Sequence, residues 1–599
     1  MKSPIFFLLA AAASAATVKP PQIDSKAYVE HVRYLASPEL RGRGTGMPEL
    51  DKAAHYIARQ FKEAGLETQF QPFSVTTNAR LGRRNQFSYK LQDKKHSLTP
   101  EKQFSPFNFS AGGQFEGEVV FAGYGITAKE YNYDDYDGLD VRNKFVLILR
   151  HEPQEYDEKS VFSGKVYTEH SQFFSKATNA KLHGARGVIL INDIANHGSD
   201  ADDLEPFGKT VGPTNAGIPF VQIKADAAEA WLTAAGKDLR TLQADIDKDL
   251  KPRSFPLDAV KVSFHLDVRR ETKTVNNVVA YLPGESTEHI VIGAHYDHLG
   301  LGEQFSMAPS QAGTPHVGAD DNASGTAGVI ELARYFASQP KPRRGIVFLC
   351  FAGEELGLLG SSYYVNNPKF PIGQAIAMIN MDMIGRIRDQ KIYLGGIGTG
   401  TGFKEMLEDL AKSTPLKLEF SDQTGYGSSD HTSFTTKQIP VLFFFSGLHA
   451  DYHKPSDTWD KIEAEPAARL LELVASAAQR ITDGQPRPQF VRVAEPPKPT
   501  TSHAGSSSAP GYGPYFGSIP DMAEQKNGVR FADVRESSPA AKAGLKGGDT
   551  MVEFDGKPIQ NLYDFTYALR SKKPGDVVKV KILRDGKPLD ADVTLEQRR

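Results

Sequence analysis

The chain has 599 residues, 40% of them apolar and 24% charged, which is ordinary globular composition with material for about four domains at roughly 150 residues each. Seventy basic against 73 acidic side chains give a net charge of −3, so no basic excess exists to grip nucleic acid phosphates. With a single cysteine, Cys350, neither an intramolecular disulfide nor a cysteine-rich zinc site can form. Any metal must be held by His, Asp and Glu.

Residues 1–16 read as a signal peptide: Lys2 is a short positive region, Ile5 to Ala13 an apolar run, and Ala13-Ser14-Ala15 a small-residue cleavage site. The apolar run is too short to span about 30 Å of bilayer, and no later segment reaches 18 apolar residues, so no integral membrane segment is expected after cleavage. The expected location is outside the cytoplasm, periplasmic or secreted. A lone cysteine suits an oxidising compartment.

Two helix-like stretches follow. Ala54, Ile57, Phe61 and Ala64 fall on one helical face, which Gly65 can close. The segment Ser37 to Gly44 between them is a loop by its Pro and Gly content. From 113 to 260 short β-rich runs dominate, at 118–122, 144–149 and 187–191, with one helix-like segment at 173–183. This texture predicts a separate small β-rich or α/β module. From 261 to 483 nearly all-apolar runs at 277–281, 290–294, 346–351, 375–379 and 441–445 alternate with loops and helices, the clearest helix being 325–338. Continuous apolar runs are strands buried on both faces, so the expected fold class is α/β: a mixed, largely parallel sheet covered by helices. Residues 484–510 are a Pro/Ser-rich linker, and 511–599 a last compact domain.

Ligands of open α/β sheets gather where strands end at their carboxyl edge. The loops there carry His295 and Asp297, then Glu354-Glu355, then Asp382, then His453, while Asp320-Asp321-Asn322 opens the clear helix. Singly, each has a bland reading: His-x-Asp as a surface pair, the Asp pair as a helix cap, Glu-Glu as a solvated loop. Five such sites at successive element ends are a coincidence that a metal explains better. Ser428-Ser429-Asp430-His431 superficially suggests a serine triad, but adjacent residues seldom form one and no G-x-S-x-G elbow is present.

With these motifs in this order, the sequence resembles the di-zinc aminopeptidases of peptidase clan MH (leucyl aminopeptidase and aminopeptidase Y types) over about residues 24–105 and 260–485. The resemblance implies a zinc peptidase domain at 24–112 and 261–483. It implies two Zn2+ ions held by His295, Asp321, Glu355, Asp382 and His453, with Asp321 rather than Asp320 as the bridging carboxylate. It also implies Glu354 as general base, Asp297 as the carboxylate behind His295, and Tyr426 as the phenol assisting the oxyanion. The pattern suits the chemistry, since two ions need one spanning carboxylate plus an imidazole and a carboxylate each. His298, His316, His431 and His449 then fall outside a filled shell. Residues 113–260 are similar to a PA domain. Residues 511–599 resemble bacterial PDZ domains through Tyr515-Phe516-Gly517-Ser518-Ile519 and Ser538-Pro539-Ala540-Ala541 to Asp549. The implied partners are peptide substrates and a C-terminal peptide ligand of the PDZ-like domain. Rival readings are a carboxypeptidase or dipeptidase on the same core, and a peptide-binding protein using the PA and PDZ modules.

Overall fold

The computed structural model describes residues 20–597 apart from 163, 165–166, 198–201, 208–214, 304, 421, 485, 494–512, 522–524 and 526. The expected signal peptide and most of the expected linker (494–510) lie outside the described residues. Among those described, no helix is long and apolar enough to cross a membrane.

An eight-stranded mixed sheet forms the first unit, in the order Glu67–Leu81, Val268–Leu282, Arg344–Phe351, Ser286–His295, Ala375–Met381, Val441–Phe445, Lys391–Gly395, Lys417–Phe420. Its centre is parallel: Arg344–Phe351, Ser286–His295, Ala375–Met381 and Val441–Phe445 pair in one direction. These strands are the continuous apolar runs, and Ile290, Ile292, Ile346, Phe348, Ile379 and Leu442 are fully or almost fully buried. Helices Ser25–Leu35, Pro48–Glu63, Gly325–Ala337 and Ala464–Asp483 cover one face with one apolar core. Tyr364, Val365 and Phe434 from Leu359–Asn366 and His431–Thr435 cover the other. Val329, Ala333 and Phe336 of Gly325–Ala337 point inward, as their spacing predicts.

A second eight-stranded sheet runs Lys94–Leu98, Gln86–Leu91, Phe255–Leu266, Gly113–Phe121, Phe145–Leu149, Gly187–Ile191, Phe220–Ile223, Phe104–Pro106. The sheet of the inserted unit thus reaches beyond 113–260, taking in Gln86–Leu91, Lys94–Leu98 and Phe104–Pro106 before it and running to Leu266 after it. Gly82 N–H donates to the Asp267 carbonyl at 2.6 Å, where the long paired strands Glu67–Leu81 and Val268–Leu282 leave the peptidase sheet. The reason is pattern: Lys94–Leu98 is a polar, exposed edge strand and Gln86–Leu91 beside it alternates buried and open positions, so neither carries the continuous apolar signature that marks the insert's centre.

The third unit is an antiparallel sheet of Ser518–Pro520, Val529–Val534, Thr550–Phe554, Val577–Arg584 and Lys587–Thr594, with helix Leu562–Arg570. It is fastened on two sides. Lys181 of the inserted unit sits 2.6 Å from the buried Asp564 carboxylate, and Leu182 enters this unit's apolar core. On the peptidase side, Ser362 donates to Asp521 at 2.8 Å. The first residues after Asp483 are also held down, since Val491 N–H donates to Thr399 O at 2.8 Å.

Candidate metal centre

His295 is the last residue of its strand, and Glu354-Glu355, Asp382 and His453 follow the next three parallel strands. Asp321 lies in the irregular turn Ala319–Ser324 before helix Gly325–Ala337, entered through Gly318 at φ 54°. A Cβ at Gly318 would stand 2.1 Å from the Asp321 carbonyl oxygen, so only glycine fits there.

The fold brings these groups together. Asp321 presents its two oxygens to different imidazoles: Oδ1 lies 3.4 Å from His295 Nε2, and Oδ2 lies 3.2 Å from His453 Nε2. His295 Nε2 is also 3.4 Å from Asp382 Oδ1, and His453 Nε2 3.3 Å from Glu355 Oε2. Donor atoms of His295, Asp321 and Asp382 all lie within 4.8 Å of one another, as do those of His298, Asp321 and Glu355.

Tautomers separate His453 from His298. His295 Nδ1 donates to the Asp297 carbonyl at 3.2 Å, and His453 Nδ1 to the Phe305 carbonyl at 2.9 Å. Each therefore turns its Nε2 toward the carboxylates, the nitrogen a metal-ligating imidazole would offer an ion placed between them. His298 instead donates Nδ1 to Glu355 Oε1 at 2.6 Å, which orients that carboxylate. His316 bonds Ser306 and Thr314, His449 lies 3.2 Å from Asp320, and His431 stacks on Phe443.

Asp320 is taken up structurally. Its Oδ1 accepts the Gly385 N–H at 2.6 Å, leaving Asp321 to face the cluster. Asp297 accepts the Glu354 backbone N–H at 3.1 Å and the Thr45 hydroxyl at 2.8 Å, with its carboxylate 3.8 Å from His295 Nδ1. Glu354 Oε2 is 3.9 Å from His295 Nε2. Burial raises the Glu354 carboxyl well above the usual range; His295 opposes this, while Glu355, Asp382 and Asp430 add to it. Tyr426 is not in the cluster: its hydroxyl donates to Asp533 of the C-terminal unit at 2.5 Å.

Several supporting residues carried no signal in the sequence. The Arg43 guanidinium, wholly buried, donates to the carbonyls of Leu35, Tyr296, Val317 and Gly318 and ties the His295 and Asp321 loops together. Asp457 Oδ2 accepts the backbone N–H groups of Asp320 (2.9 Å) and Asp321 (3.1 Å). Tyr452 stacks on His453 with ring centroids 3.9 Å apart. Asp430 is fully buried near His295 and Asp382, and burial pushes its carboxyl up to about 7. Only proximity in three dimensions identifies them.

The donor set fits cations. Carboxylates outnumber imidazoles in this buried space, and Asp382 Oδ1 has no hydrogen-bond partner. Burial opposes charging His453, yet the Asp321 and Glu355 carboxylates outweigh it and raise its pKa to about 10. Such an excess of negative charge is what bound cations offset. Fold and cluster together define a metal-dependent hydrolase.

Comparison with known proteins narrows the class. Residues 277–478 match peptidase family M28, 115–231 the PA domain and 520–595 the PDZ domain. The chain is 26% identical over 384 residues to aminopeptidase YwaD of Bacillus subtilis (strain 168), covering 61% of this chain and 70% of that protein. It is 30% identical over 216 residues to a probable leucine aminopeptidase of Arthroderma otae, and there spans 57% of the relative's length. Among solved structures, an aminopeptidase from Aneurinibacillus sp. strain AM-1 aligns with 80% of this chain and 97% of its own, at 24% identity and TM-score 0.47. Residues 277–478 thus form a peptidase family M28 domain, accompanied by a PA domain at 115–231 and a C-terminal PDZ domain at 520–595.

Proposed function

We propose that this M28 zinc aminopeptidase is exported, holds two zinc ions, and releases N-terminal residues from peptides with Glu354 as general base. The observation that carries the two-ion reading is Asp321, whose two carboxylate oxygens face His295 and His453 separately. His295 and Asp382 would complete one ion, and Glu355 and His453 the other. Bound there, two zinc ions supply Lewis acidity, polarising the scissile carbonyl and acidifying water.

The chain's own groups do the rest. Glu354, whose buried carboxylate has a raised affinity for a proton, takes one from the attacking water and hands it to the leaving amine nitrogen. Asp297 fixes Glu354 by accepting its backbone N–H, and the Asp297 carbonyl holds His295 in its ligating tautomer. His298 holds Glu355 in the same way. Tyr426 is the phenol assigned to the oxyanion, once released from Asp533. The aminopeptidase names of the curated relatives support a free α-amine as the recognised substrate end.

Zinc-loaded enzyme should hydrolyse aminoacyl-anilides and free peptides but not their N-acetylated forms. Equal turnover of acetylated substrates, or release from the carboxyl end, would replace this reading with another exopeptidase. Export rests on the Lys2, Ile5–Ala13 and Ala13-Ser14-Ala15 pattern. N-terminal sequencing of protein from a bacterial host should begin near Ala16 or Thr17; exported protein still starting at Met1 would contradict it.

A further inference from the structure

The phenol assigned to the oxyanion is engaged by another domain. Tyr426 donates its hydroxyl to Asp533 at 2.5 Å, and Asp533 lies on strand Val529–Val534 of the PDZ domain. The acceptor is well anchored. Asp533 is buried at 5% exposure, and Arg492 Nη1 approaches its two oxygens at 3.1 and 2.9 Å while also donating to the Val534 carbonyl. The Arg535 guanidinium carbon stands 5.5 Å from the Tyr426 ring centroid, a cation–π contact from the same strand end. A hydroxyl donating to a carboxylate is among the stronger hydrogen bonds a protein makes.

Space and attachment surround this contact. It lines a cleft of about 1280 Å³ between the peptidase and PDZ domains, whose walls include Leu358, Gly427, Thr432, Arg530 and Leu545. The Tyr426 ring therefore borders open space on the side facing the PDZ domain. Its loop continues into Ser429, which donates to Asp382 Oδ2 at 2.8 Å, so the loop that holds Tyr426 also touches the metal cluster. The PDZ domain is braced from behind by Lys181 and Leu182 of the inserted domain, which fixes where Asp533 is presented.

We propose that the PDZ domain is an intramolecular latch on the peptidase site: Asp533, held by Arg492, keeps the Tyr426 hydroxyl away from the metal cluster, and catalysis requires that bond to open. This rests on the assignment of Tyr426 as the oxyanion-assisting phenol. Two positions of Tyr426 then compete, and the interdomain hydrogen bond sets their populations. Asp533 acts through Tyr426 and is a positioning residue.

The test is a double-mutant cycle on the full-length, zinc-loaded chain: wild type, Asp533→Ala, Tyr426→Phe and both together, with aminoacyl-anilide kinetics, zinc content and melting temperature. Asp533→Ala should raise kcat about tenfold, what the loss of one charge-assisted hydrogen bond returns, with KM and zinc content unchanged. Tyr426→Phe should lower kcat and abolish that gain. An Asp533→Ala enzyme that is folded but no faster, beside a crippled Tyr426→Phe, overturns the latch and leaves the phenol assignment intact. A gain that persists in the double variant also overturns it. If Tyr426→Phe is as active as its parent in both backgrounds, the phenol assignment itself fails. Asp533→Leu, close in shape and unable to accept a hydrogen bond, gives the same reading should Asp533→Ala fold poorly.

Discussion

Replacing Asp457 by alanine probes the least visible part of the site. Its Oδ2 accepts two backbone N–H groups, from Asp320 at 2.9 Å and Asp321 at 3.1 Å, in a fully buried setting. Orphaning two buried donors costs about 1–3 kcal/mol each. Part of that is returned, because burial first and the Asp320 charge second hold the Asp457 carboxyl up at about 6. Its ionised form is therefore disfavoured by about 3 kcal/mol. Taking about 2–2.5 kcal/mol for each donor, the net loss in global stability is small, about 1–2 kcal/mol. The local effect should be larger, because the turn that aims Asp321 loses its tether. Removing such an outer partner typically lowers metal affinity or activity about 10–100-fold. Zinc competition against a chromophoric chelator and kcat/KM on an aminoacyl-anilide measure it, with urea unfolding as the control. A variant that loses 1–2 kcal/mol but binds zinc within about twofold of wild type would show that Asp457 supports the fold alone and does not position Asp321.

The neighbours Glu354 and Glu355 should separate by metal analysis. Glu355→Ala loses zinc and activity, whereas Glu354→Gln keeps zinc and fold but loses about 10²–10⁴-fold in kcat; the reverse pattern would exchange their roles. Burial holds the His431 pKa down at about 4, below its ordinary 6.5. The unfolded chain then binds the proton more readily, so stability is full above about pH 6.5 and falls toward pH 4 by about 3 kcal/mol. Urea unfolding of wild type and His431→Gln across that range checks it, and equal slopes would refute it. Lys181→Ala removes the cation that stands 2.6 Å from the buried Asp564 carboxylate, so it should cost about 3 kcal/mol. Lys181→Met with Asp564→Leu should recover most of this, and a Lys181→Ala melting curve matching wild type would contradict the interdomain pairing.

The parallel centre of the peptidase sheet was readable because its strands, such as Ile290–Ala294 and Ile346–Phe351, are buried on both faces and apolar throughout. The same rule marked the centre of the insert and missed its rim. Lys94–Leu98 is the exposed edge, and Gln86–Leu91 beside it pairs on its other side with Phe255–Leu266, far along the chain. His295, Asp321, Glu354, Glu355, Asp382 and His453 were legible because each follows a strand or opens a helix at the same end of the sheet. Arg43 was not, since its four carbonyl partners come from three separate segments. Nor was the tie between Tyr426 and Asp533, 107 residues apart across a domain boundary. The linker composition suggested an independent last domain, whereas Lys181, Leu182 and Ser362 fasten that domain to both others.

Two zinc ions sharing Asp321 are the core of this account, and metal stoichiometry tests them most directly. Elemental analysis of the purified full-length chain, after removal of loosely bound metal, should give two zinc per chain. Asp321→Ala should retain fewer than one, with hydrolysis of aminoacyl-anilides lost in step. One zinc in the fully active enzyme, or two in Asp321→Ala, would contradict the account.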